Sequence, residues 1–89
     1  MISVKQAVES SVNFLKSIDE AAKDILVEEV DFDSNENQWY ITLSFSHDVI
    51  DTQNIYYVVN GKLKYKTFKI NSNNAEVLSM KIRETTSAQ

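Results

Sequence analysis

Between Gln38 and Ser46 apolar and polar side chains alternate without a break. Trp39, Ile41, Leu43 and Phe45 fall on one parity, and Tyr40, Thr42 and Ser44 on the other. A period of two is that of a β-strand with one dry and one wet face. β-branched and aromatic residues, which suit a pleated half-buried surface, dominate the stretch. Such a strand needs hydrogen-bonded neighbours and a cover for its apolar face.

The flanking sequence offers the neighbours. Ile25–Phe32 predicts a strand with Leu26, Val30 and Phe32 on one face and Glu29 and Asp31 on the other. Glu28 interrupts the apolar face, as in an edge strand. The polar turn Asp33-Ser34-Asn35-Glu36-Asn37 joins this strand to the next. Downstream, Lys62–Arg83 predicts two strands around Asn71-Ser72-Asn73-Asn74-Ala75, whose short polar side chains bond nearby backbone and tolerate positive φ. Leu78, Met80 and Ile82 alternate with Ser79, Lys81 and Arg83. Between Leu63 and Ile70 the parity slips, since Leu63 and Tyr65 share one and Phe68 and Ile70 the other; a bulge near Lys66–Thr67 would reconcile them. Ile55–Val59 followed by Asn60-Gly61 carries the type I′ hairpin signal and adds an optional further strand.

The N-terminal residues offer the cover. Ser3 and Gln6 have the spacing of a capping box, with Ile2 and Ala7 placed as a hydrophobic staple. Val4, Ala7, Val8, Val12, Leu15 and Ile18 recur at steps of three and four, which makes one apolar stripe on a helix. Ser11 lies near the stripe, where its hydroxyl can bond back to the carbonyl of residue 7. Asp19, Glu20 and Asp24 would oppose the dipole of a longer helix, so the helix is expected to break near Asp19.

The expectation is an α+β fold with an N-terminal helix on one face of a four- or five-stranded antiparallel meander sheet. Trp39, Ile41, Leu43, Phe45, Leu78, Met80 and Ile82 would face the helix, and the opposite face would be open. One domain spans 1–83, with 84–89 as a flexible tail that has no apolar anchor. A chain of 89 residues buries only about 60% of its unfolded surface, so a single helix-on-sheet core is what it can build.

The segment Tyr65-Lys66-Thr67-Phe68-Lys69-Ile70-Asn71-Ser72-Asn73-Asn74-Ala75-Glu76-Val77-Leu78, after a helix opened by Ile2-Ser3-Val4-Lys5-Gln6-Ala7-Val8, resembles the PepSY-like pattern. That pattern closes with an extended strand, a D-x-x-T-G-like turn and a strand opening E-V-L. Asn71 stands where an Asp is usual and Ala75 where a Gly is usual. The resemblance implies a cystatin-like helix against a curled antiparallel sheet. It supplies no catalytic residue. Domains of this kind are often secreted or membrane-linked, and some restrain peptidases.

The composition excludes several chemistries. There is no cysteine, hence no disulfide and no thiolate nucleophile or ligand. One glycine, Gly61, cannot make a Gly-rich phosphate loop. His47 with Asp48 and Asp51 offers three ligands at most, short of a closed zinc site. Asp33, Asn35 and Asn37 imitate the start of a calcium loop, but Gln38 and Ser44 stand where its Gly and Glu belong. No serine is tied to a base by any recognised spacing. Glu28 and Glu29, adjacent on a strand, are expected on opposite faces and unable to work as a pair. No enzyme, no metal and no cofactor is therefore expected. No stretch reads as a signal peptide or membrane span, and cytoplasmic residence is the default.

The net charge is −4, unevenly spread. Residues 1–51 hold three lysines and eleven acids; residues 52–89 hold six basic and two acidic residues. Acidic and basic elements can neighbour each other within the fold, or two copies can meet through opposite patches. Three functions stay open. A non-enzymatic protein-interaction module, inhibitory or immunity-type, would use the exposed sheet face or an edge, with Tyr40, Thr42, Ser44, Tyr57, Lys64 and Lys66 as contact residues. A homodimeric structural domain would join sheets. A single-stranded nucleic-acid binder would use Lys62, Lys64, Lys66 and Lys69 around Tyr65 and Phe68; the acidic balance makes nucleic acid the unfavoured partner.

Overall fold

Helix α1 forms Val4–Ile18 in the computed structural model, which describes residues 1–47 and 63–83. Its start is the expected capping box: Ser3 Oγ accepts from Gln6 N–H, and Gln6 Oε1 accepts from Ser3 N–H at 2.9 Å. Asp19 caps the other end, its N–H donating to the Leu15 carbonyl at 2.8 Å. Ser11 Oγ donates to the Ala7 carbonyl at 3.0 Å, which lets a serine sit fully buried on the apolar stripe.

Among the described residues four strands follow, β1 (Ala22–Asp33), β2 (Gln38–His47), β3 (Lys64–Asn71) and β4 (Val77–Ile82). They form one antiparallel sheet in the order β1-β2-β3-β4, a meander in which each strand pairs with its sequence neighbour. With α1 packed on one side, this is the α+β architecture the alternation predicts. Ile55–Val59, the Asn60-Gly61 signal, Tyr57 and the tail 84–89 lie outside the described residues. The core joins Ala7 and Leu15 to Ile41, Leu43 and Phe45 of β2 and Phe68 and Ile70 of β3. Phe14 meets Phe68 edge-on at 6.3 Å, and the Ile2 N–H donates to the Ser72 carbonyl at 2.7 Å, which ties the helix entry to the β3–β4 turn.

The structure corrects three expectations about faces. β3 pairs with β2 without a bulge, so Lys64, Lys66, Phe68 and Ile70 share the helix side, and Tyr65, Thr67 and Lys69 take the outer face. Long lysine stems make this tolerable, because their ammonium groups can reach water past apolar neighbours. In β4 a register shift between Lys69 and Ile70 sets Val77 opposite Ile70 and turns Leu78 out, 42% exposed. Ile82 is 75% exposed, beyond the cover of α1. In β1 a shift between Val27 and Glu29 makes Glu28 an extra residue. Its carboxylate accepts from Ser44 Oγ at 2.8 Å, while Glu29 sits opposite Thr42. The two glutamates therefore share the outer face instead of dividing between two, and the same bulge leaves Leu26 on that face opposite Ser44, apart from Val30 and Phe32, which it was expected to join.

Candidate functional site

The outer face of the sheet is built from the predicted contact residues Tyr40, Thr42 and Ser44 of β2. It is not open as expected. Thr42 and Ser44 are buried because their short side chains sit between neighbours on β1 and β3, Glu29 and Thr67 beside Thr42 and Leu26 and Tyr65 beside Ser44, and each is hydrogen-bonded. Thr42 and Thr67 hydroxyls lie 2.9 Å apart, and Ser44 is held by Glu28. Arg83 reaches across from the end of β4, donating through Nη1 to Glu29 Oε1 and lying 3.5 Å from Thr42 Oγ1. The guanidinium bond holds the Glu29 carboxyl below its usual range. Tyr40, half-buried, approaches Glu36 through its hydroxyl at 3.5 Å.

Lys64 and Lys66 lie on the opposite side of the sheet from these residues, so the predicted set is split between two faces. Both line a cavity of about 540 Å³, together with Phe45, Tyr65, Ile82 and Arg83. Near it, His47 Nε2–H donates to Asp19 Oδ2 at 2.6 Å, which pins the helix end to the end of β2. That bond holds the Asp19 carboxyl below its ordinary value, with Lys64 adding a smaller pull. The described lysines of β3 do not form one stripe, since Lys69 faces away from Lys64 and Lys66. Among the described residues no cluster of three or more His, Cys, Asp or Glu is arranged to hold a metal ion, and no helix is long and apolar enough to cross a membrane.

The feature that sequence reasoning passed over is the outer edge of β1. Leu26, Val27, Val30 and Phe32 are exposed there, between 37% and 61%. Interleaved with them are the exposed acids Glu28, Glu29 and Asp31. Among the described residues β1 has a strand partner on one side only. The Phe32 and Trp39 rings meet tilted by 56°, their centroids 4.8 Å apart, so apolar surface continues from the core to the edge. The interruption at Glu28 was the signal for an edge strand; how much apolar surface that edge shows depends on where α1 stops covering the sheet. Compared with protein-family models, curated proteins and solved structures, the chain matches none.

Proposed function

We propose that this chain is a non-enzymatic protein-interaction module that works through the β1 edge of its sheet. The observation that carries this reading is the run of exposed Val27, Val30 and Phe32 on the helix side of β1, an outer strand among the described residues, with Leu26 and the acids Glu28, Glu29 and Asp31 exposed on its other face. Unpaired backbone groups on an edge accept a further strand, and alternate side chains select it. The acids favour a partner strand with basic residues at matching positions. The outer face is less suited, because Thr42 and Ser44 are already buried and bonded.

The test compares wild type with a Leu26→Lys/Val30→Lys variant as bait in parallel lysate captures. Both positions are exposed, so circular dichroism of the variant should match wild type. A protein held by wild type and lost from the variant supports the edge. Identical eluates from the two baits, together with a wild type that stays monomeric in solution, would remove it.

A further inference from the structure

We infer that the partner of the β1 edge is the β4 edge of a second copy of this chain, so that sheets join β4 to β1 in a continuing series. The inference rests on the edge reading above and names the strand that fills it.

Among the described residues β1 and β4 are the open edges of the sheet, and each has a regular stretch of the same length. On β1 the pairing with β2 runs without a shift from Glu29 to Asp33; on β4 the pairing with β3 runs without a shift from Ser79 to Ile82, and Arg83 N–H continues it to the Tyr65 carbonyl. That last bond sets the direction of every backbone group in the sheet, because bonding sides alternate along antiparallel strands. Arg83, Lys81 and Ser79 turn their backbone groups toward β3. Met80 and Ile82 therefore turn theirs to the open edge. Carried through β3 and β2, the same alternation turns Val30 and Phe32 outward on β1.

An antiparallel register that sets Ile82 against Val30 and Met80 against Phe32 lets each pair exchange two backbone hydrogen bonds. These four side chains all lie on the helix side, and all but half-buried Met80 are exposed. The same register sets Lys81 against Asp31 and Arg83 against Glu29 on the outer face. Arg83 would trade its in-chain Glu29 for the neighbour's, and Lys81 with Asp31 is the pair gained. Like edges do not match: β1 against β1 brings Glu29 and Asp31 against acids, which is unfavourable.

The described strands are even in number, so joining β4 to β1 keeps the alternation of strand direction with all copies oriented alike. The contact is heterologous and does not close on a two-fold axis. Sheet twist of about 20–25° per strand turns successive copies by roughly 80–100°.

The experiment is sedimentation velocity on the full chain from micromolar to millimolar, with Asp31→Lys, Lys81→Glu and the double variant alongside. Wild type should pass through dimer to larger species without a plateau at dimer. Each single charge reversal should weaken association about tenfold, and the double should restore it, because the reversed charges meet across the interface. Wild type that stays monomeric, or a double variant no better than the singles, overturns self-assembly. A peptide with the sequence of residues 77–83 separates the two levels. If wild type is monomeric yet the peptide shifts the amide resonances of Val30 and Phe32, the edge reading survives and self-assembly falls. If wild type is monomeric and the peptide shifts neither, self-assembly falls, and the capture with Leu26→Lys/Val30→Lys decides the edge reading.

Discussion

Ala75 carries a backbone conformation suited to glycine, and replacing it should stabilise the fold. Its φ is 65°, in the left-handed region, where its methyl group crowds the following carbonyl. For an L-residue with a side chain this costs about 1–2 kcal/mol. Glycine avoids that cost but brings a more mobile unfolded chain, which takes back roughly 0.5–1 kcal/mol. The Ala75 N–H donates to the Asn71 carbonyl at 2.9 Å through the backbone, so Ala75→Gly removes no hydrogen bond. The net gain is about 0.5–1 kcal/mol, a rise in Tm of roughly 2–8 °C for a domain of this size. Thermal unfolding followed by circular dichroism, with urea titration beside it, reads the change directly. Asn37, also left-handed at φ 60°, is the comparison: asparagine already tolerates that region, so Asn37→Gly should gain less. A Tm for Ala75→Gly at or below wild type would refute the reasoning, since it would mean that the turn carries no penalty to relieve.

Other perturbations test the remaining parts. Phe68→Ala, at a fully buried site, should cost about 3–5 kcal/mol in urea unfolding, whereas Leu78→Ala, turned out by the β4 bulge, should stay within about 0.5 kcal/mol. Thr42→Val should cost about 1 kcal/mol by leaving the Thr67 hydroxyl unpaired; Thr42→Val/Thr67→Val should recover most of it, and additive losses would argue against the hydroxyl pair. Asp19 has a folded pKa below its ordinary 3.8, so its contribution is complete above that value and is lost as pH falls through the lower folded pKa. Urea midpoints for Asp19→Asn should accordingly differ from wild type at neutral pH and converge with it in acid; a constant difference across the series would contradict the link to the His47 bond.

Elements set by local chemistry were readable in the sequence. Ser3 with Gln6 marked the start of α1, the acids from Asp19 marked its end, and the parity of Trp39 to Phe45 marked β2. The bulges were not readable. Whether Glu28 or Leu78 is the skipped residue is decided by cross-strand pairing, which no single strand's pattern contains. Parity likewise assigns Thr42 and Ser44 to a face without saying that bonded neighbours will close over them. The edge site was half visible. The acidic first half and basic second half could be counted, but Lys81 and Asp31 became candidates for each other only once β1 and β4 were placed as the two outer strands among the described residues.

The order of elements along the chain has a consequence for synthesis. Helix α1 is made first, yet Phe68 and Ile70 of its core come near the end. About fifty residues separate Ile18 from them, so at about 5–20 residues per second the apolar stripe of α1 emerges some 3–10 s before its full cover exists. A helix of 15 residues is marginal in water by itself. Until β3 arrives, the β1–β2 hairpin is the surface available to shelter Leu15, and a slow stretch of translation before Phe68 lengthens the time in which a chaperone can bind the nascent helix.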